Sequence, residues 1–159
     1  MHEVTIIDVP PQLVFGMRRK GKYEQIAVMI AELVHYISKA GVERCGPPIY
    51  LWHEKTVEAA CRADETGTAE IEVAWPVRGT APGTPEIRQY TLPGGKMARI
   101  LHQGPYQECE STYQYLFDWL TRNRMMITGP IREMYLNDPV TVPPEGILTE
   151  ILAPVGNRG

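Results

Sequence analysis

The stretch GPIREMYLNDP (129–139) reads as a turn leading into a strand, and a related stretch, GPPIYLWHE, stands at 46–54. One offset of 83 positions superimposes them: Gly46-Pro47 falls on Gly129-Pro130, Tyr50 on Glu133 and Trp52 on Tyr135. The same offset carries Tyr23 onto Tyr106, each two residues after a glycine. Further on, EVAWPV (72–77) matches EILAPV (150–155) at an offset of 78, which leaves a longer hairpin loop in the first copy. A colinear set of matches of this kind marks an internal duplication.

Each copy reads as strand, helix, strand, strand. In the first, Ile26, Met29, Ile30, Leu33, Val34 and Ile37 recur at helical spacing, with Gly41 beyond them as the stop. In the second, Cys109, Tyr113, Leu116, Phe117 and Leu120 form the matching stripe. Both stripes read as core. Alternation marks strands in VTIID, LVFGM, PIYLWHE and AEIEVAW, then in EIRQYTL, MARILHQ, IREMYLND and ILTEILAPV. Pro10-Pro11 and Gly94-Gly95 are expected to form a bulge and a tight turn in the leading strands. RGTAPGTP (78–85) is the expected linker. Residues 1–159 thus read as a single domain of two pseudo-symmetric halves, about 3–77 and 86–155. One helix covers only one face of its sheet. The expected fold is therefore α+β: duplicated β-α-β-β modules forming a curved antiparallel sheet, with helices on one face and a ligand groove on the other.

Alternation also sorts side chains into faces. Ile71, Val73 and Trp75 are expected to face the core, and Glu70, Glu72 and Ala74 the open side. Thr149, Ile151 and Ala153 are expected to face the helix, and Glu150 and Leu152 the groove. Ile49, Leu51, Met134 and Leu136 read as core, which leaves Tyr50, Trp52, Glu133 and Tyr135 open. Glu70 and Glu72 read as solvated acids. Glu133 reads as a site, because Tyr135 lies two residues along and Glu150 is placed on the same side. Aromatic walls around a carboxylate suit a flat, lipophilic cation: the rings stack on the ligand while the acid neutralises its charge. The expected ligand contacts are Glu133, Tyr135, Glu150, Trp52, Tyr50 and Leu152. A carboxylate in an apolar groove can also act as a general acid or base, so Glu133 and Tyr135 are the expected catalytic pair if the protein is an enzyme.

Other functions find little support. A formal charge of −3, with one short basic cluster at Arg18-Arg19-Lys20, argues against nucleic-acid binding. Cys45, Cys61 and Cys109 are odd in number and widely spaced, as reduced thiols in a cytoplasm would be. MHEVTIIDVPP lacks the features of a signal peptide. No apolar run approaches the roughly 20 residues of a membrane helix. The expected location is cytoplasmic. His2, His35, His53 and His102 have no ligand spacing, so no metal is expected. Gly94-Gly95-Lys96 lacks the surroundings of a phosphate loop, and no cofactor is expected. Ser38 and Ser111 are the only serines, both in predicted helices, and Cys109 reads as packed rather than nucleophilic. Alternation puts His53 on the core side, without an assigned role.

GPIREMYLNDP followed by LTEILAPV resembles the GyrI-like small-molecule-binding family, and the resemblance runs from Val4 to Val155. The family carries Glu and Tyr in a GP-x-x-E-x-Y pattern and a second Glu before its last apolar strand; in this chain these are Glu133, Tyr135 and Glu150. The same domain forms the effector-binding half of multidrug-responsive MerR-type and some AraC-type regulators. The resemblance implies paired β-α-β-β modules that bind bulky cationic and aromatic compounds in a groove between them, with Glu133 central. Leu152 stands where some relatives place an aromatic. No helix-turn-helix pattern flanks the domain, so a stand-alone binding protein without direct nucleic-acid contact is expected. Relatives imply two alternatives: hydrolysis of the strained cyclopropane of DNA-alkylating natural products, and binding of a protein partner in the manner of gyrase inhibitors.

Overall fold

Strand β1 (Thr5–Val9) runs into β2 (Gln12–Gly21) through Pro10-Pro11 and does not fold back on it. Both prolines lack an N–H and have a fixed φ, so the chain stays extended and no hairpin closes here. The computed structural model describes residues 3–157, apart from the side chain of Gln107; His2 lies outside them. After β2 come α1 (Gln25–Lys39), β3 (Glu43–Arg44), β4 (Ile49–Trp52), α2 (Val57–Thr66), β5 (Ala69–Arg78) and β6 (Arg88–Leu92). Then follow β7 (Gly95–Gln103), a 3-10 turn (Tyr106–Glu108), α3 (Cys109–Arg122), β8 (Met125–Ile127), β9 (Arg132–Tyr135), a second 3-10 turn (Pro144–Gly146) and β10 (Leu148–Asn157).

Packing divides the chain into two units, Pro11–Pro93 and the chain before Pro11 together with the chain from Gly94 on. In the first, β5 pairs antiparallel with β4 and β2, β2 pairs with β6, and β3 pairs with the end of β5. In the second, β10 pairs antiparallel with β7 and β9, β7 pairs with β1, and β8 pairs with the end of β10. The fold is α+β and duplicated, each unit a β-α-β-β module with an added edge strand (β6 or β1) and a short strand (β3 or β8) paired to the end of its closing strand. That edge strand departs from the sequence expectation. β1, placed by sequence in the first half, pairs in the second unit, and β6, placed in the second half, pairs in the first. Pro10-Pro11 and Pro93-Gly94 are accordingly the places where the chain passes from one unit to the other, not a bulge and a turn within strands.

The helices bury the stripes that their spacing predicted. Met29, Leu33 and Ile37 of α1 have no exposed surface, and the positive φ of Gly41 follows the helix. Leu116 and Leu120 of α3 pack with Ala98, Ile100, Ile151, Ala153 and Val155. Each such side chain removed from water stabilises the fold by about 1.5–3 kcal/mol. Helix α2 replaces the expected long hairpin loop. Thr56 caps its start by accepting from the Ala59 N–H at 3.0 Å, and Gly67 closes it in the left-handed conformation.

Gly16 is required for a close approach. A Cβ there would stand 2.0 Å from the Tyr90 hydroxyl and within 2.8 Å of its ring. Gly16→Ala is expected to cost about 1–3 kcal/mol in denaturant unfolding, as overpacking does. In a Tyr90→Ala background the cost should vanish; equal costs in both backgrounds would rule out the clash as its cause.

Candidate functional site

Residues directly opposite one another in an antiparallel pair share a face. Glu133 is paired with Ile151 and Tyr135 with Thr149. Ile151 belongs to the core under α3, so Glu133 and Tyr135 face that helix and not an open side. The expectation had set Ile151 and Glu133 on opposite faces, which their pairing forbids. The set taken as core also divides: Met134 is buried, whereas Leu136 is 41% exposed.

Under α3, Glu133 is 6% exposed. The Tyr113 hydroxyl, from the helix, donates to its Oε2, and the Tyr135 hydroxyl donates to Oε1 at 3.1 Å. Tyr106 meets Tyr135 edge to face, with ring centroids 5.2 Å apart, and Tyr113 lies against Phe117 at 5.9 Å. Burial, joined by the charge and hydrogen bond of Glu133, raises the Tyr113 phenol well above its ordinary pKa. Tyr106 is raised by burial and then by Glu133. Both phenols therefore stay protonated at neutral pH, and Tyr113 remains a donor. Cys109 is pushed up to about 12 by burial and by Glu133, which leaves a packed, unreactive thiol.

The other expected contacts lie elsewhere. Glu150 is paired with Met134, on the sheet face opposite Glu133, where Arg99 Nε donates to its Oε2. Leu152, paired with Arg132, is buried on that same far face. Tyr50 and Trp52 belong to the first unit, paired with Val73 and Ile71. Arg19 shares the Ile71 position and reaches Glu32 of α1, so these residues also face their helix. Tyr50, fully buried, and Trp52 form an edge-to-face trio with Tyr23, with centroids 5.0–6.3 Å apart. The Tyr23 hydroxyl donates to Glu54, whose other oxygen accepts the Glu70 N–H at 3.1 Å. The equivalence of the halves thus holds within each unit, although the assigned face does not.

Four polar groups escaped sequence reasoning: Tyr113, His53, Glu72 and Tyr90. Tyr113 sits on an apolar stripe, and spacing says nothing of where its hydroxyl ends. His53 and Glu72 form a pair: His53 Nε2 lies 2.7 Å from Glu72 Oε1, and the Tyr90 hydroxyl donates to Oε2 at 2.6 Å. Glu72, expected to be solvated, is 8% exposed. Burial alone would raise its carboxyl, but the bonds from His53 and Tyr90 outweigh this and hold it below the ordinary carboxylate range. Tyr90 arrives from β6, an edge strand that alternation had assigned to the other half. Among the described residues no group of three or more His, Cys, Asp or Glu side chains could hold a metal ion, and no helix is long and apolar enough to cross a membrane.

Residues 2–156 match the profile of a family described as GyrI-like small molecule binding domain. Among solved structures, the EcmrR C-terminal domain superposes with a TM-score of 0.87 at 20% identity, over 99% of each chain. EcmrR in its DNA complex gives 0.86 at 20% identity; the alignment covers 99% of this chain and 58% of that one, so this chain spans little more than half of that relative's length. A hydrolase encoded by lin2189 from Listeria innocua gives 0.69 at 17% identity, over 97% of this chain and 92% of that one. SAV2435 bound to tetraphenylphosphonium gives 0.57 at 13% identity, over 97% and 94%. No curated protein sequence matches the chain. At these identities the structural likeness is one of fold.

Proposed function

Because this chain belongs to the GyrI-like small-molecule-binding family, we propose that it binds bulky, lipophilic, aromatic compounds, cations above all, and does so without chemistry. The observation that carries this reading is the Glu133 carboxylate buried among Tyr106, Tyr113 and Tyr135. Phenol rings offer negative faces and a large contact area, and the carboxylate supplies a charge in a place where water screens it little. A ligand that is both aromatic and cationic satisfies both.

The test is titration with tetraphenylphosphonium, the compound held by the SAV2435 relative, against a neutral aromatic of matched size. The cation should bind at least about tenfold more tightly, since a contact with a charged partner is worth roughly 1.5–3 kcal/mol. Equal affinity for cation and neutral compound would remove the electrostatic basis of the proposal.

The hydrogen bond between Tyr135 and Glu133 supports a second reading, hydrolysis of an electrophilic cyclopropane. Glu133 would take a proton from water as its oxygen forms the new C–O bond. The ring C–C bond breaks, and the carbanion that it leaves, steadied by the Tyr135 hydroxyl, is then protonated by Glu133. Product mass in incubations with a cyclopropane-bearing alkylator separates turnover from binding.

A further inference from the structure

His102 lies on β7, on the face toward α3, and is almost completely buried. Its Nε2 stands 3.0 Å from the Pro105 carbonyl oxygen and its Nδ1 2.8 Å from the Thr112 hydroxyl. A carbonyl can only accept, so Nε2 carries a hydrogen and donates it to Pro105, while Nδ1 shares a hydrogen bond with the hydroxyl of the fully buried Thr112. One ring thereby ties together β7, the turn that presents Tyr106, and the first turns of α3, which present Cys109 and Tyr113. The turn has two more fastenings. Gly104 N–H donates to Ile147 at 2.7 Å, and Glu108 N–H donates to Pro105 at 3.0 Å. Gly104 has φ +120, which disfavours other residues.

The duplication supplies an internal comparison. The offset that carries Tyr23 onto Tyr106 carries Arg19 onto His102 and Met29 onto Thr112. Arg19 binds Glu32 and Glu86, and Met29 is plain core. Tyr23 is instead held at its hydroxyl by Glu54 and at its N–H by Asp64. The histidine-threonine tether therefore occurs in the half that contains Glu133 and has no counterpart in the other. We infer that His102 is a positioning residue for the ligand site: by fixing the Pro105 turn it holds Tyr106 against Tyr135, and so sets how the two rings frame Glu133. This rests on the binding reading above.

The experiment titrates tetraphenylphosphonium into wild type, His102→Leu, His102→Gln, Tyr106→Ala and the double variant His102→Leu/Tyr106→Ala, with folding followed by circular dichroism. His102→Leu removes two hydrogen bonds and should weaken binding about tenfold, whereas His102→Gln keeps a donor toward Pro105 and should stay within about threefold. Because His102 acts through Tyr106, adding His102→Leu to Tyr106→Ala should change affinity little further. Additive losses, or a glutamine variant as weak as the leucine one, would overturn the inference. A ligand-free measurement keeps it separate from the binding reading: nuclear Overhauser contacts between the Tyr106 and Tyr135 rings should be present in wild type and His102→Gln and lost in His102→Leu. Contacts that persist in the leucine variant overturn the tether even if binding is confirmed. A wild type that binds no tetraphenylphosphonium, with the contacts behaving as expected, overturns the binding reading alone.

Discussion

Glu133→Gln should weaken tetraphenylphosphonium about tenfold or more and leave a neutral aromatic of the same size nearly unchanged. The amide keeps the shape of the side chain. Its oxygen can still accept one phenol, and the other phenol can turn its hydroxyl to accept from the amide nitrogen, so the Tyr113 and Tyr135 contacts need not collapse. What the substitution removes is charge. A carboxylate this little exposed is poorly screened, and a contact with it is worth roughly 1.5–3 kcal/mol, where 1.4 kcal/mol is tenfold in affinity. Equal weakening of the cation and the neutral compound would show that Glu133 supplies shape alone. The same variant decides the hydrolytic reading. If wild type opens a cyclopropane, Glu133→Gln should abolish product while binding stays detectable, and Tyr135→Phe should slow turnover by about 10²–10⁴-fold. Product that survives Glu133→Gln would move the chemistry away from this acid.

The duplication could be read from sequence because each Gly-Pro turn fixes where the following strand starts, and Tyr50, Trp52, Glu133 and Tyr135 then keep their spacing. The helices could be read because Met29, Leu33, Ile37, Leu116 and Leu120 repeat at helical intervals. Orientation could not. A period of two divides a strand into two sets without saying which set the helix covers. Met134 and Leu136 looked like the core set of β9 because they are apolar. Long-range pairing decided otherwise, since Glu133 is opposite Ile151. The same limit hid the exchanged edge strands, whose partners lie far along the chain. Helix α2 was missed for a different reason. It buries no residue and so has no apolar stripe, and only Thr56 and Gly67 mark its ends. Of the expected site residues, Glu133 and Tyr135 lie together as a carboxylate and its donor. Tyr113 and Tyr106 complete the cluster from elements whose packing no alternation pattern describes.

The largest loss of stability should come from Leu116→Ala. Leu116 has no exposed surface and lies against Ala98, Ile100, Ile151 and Ala153. Two of those neighbours are alanines on paired strands, which cannot reach into the vacated space, so a cavity remains. Substitutions of this kind cost about 2–5 kcal/mol, and for a chain of this length each kcal/mol lowers the melting temperature by about 2–4 °C. A fall of roughly 4–20 °C is expected in thermal unfolding. Tyr113→Phe, one turn earlier on the same helix, is the informative contrast. It keeps the ring that packs near Phe117 and deletes only the hydroxyl that donates to Glu133. Its stability should change less than that of Leu116→Ala, while affinity for tetraphenylphosphonium shifts, because the carboxylate loses a donor and gains freedom to turn. Leu116→Ala should bind with nearly wild-type affinity wherever it is fully folded. If Tyr113→Phe proves the more destabilising of the two, the Tyr113–Glu133 bond is chiefly a fastening of α3 to its sheet, and the acid is a structural group rather than the centre of a binding site.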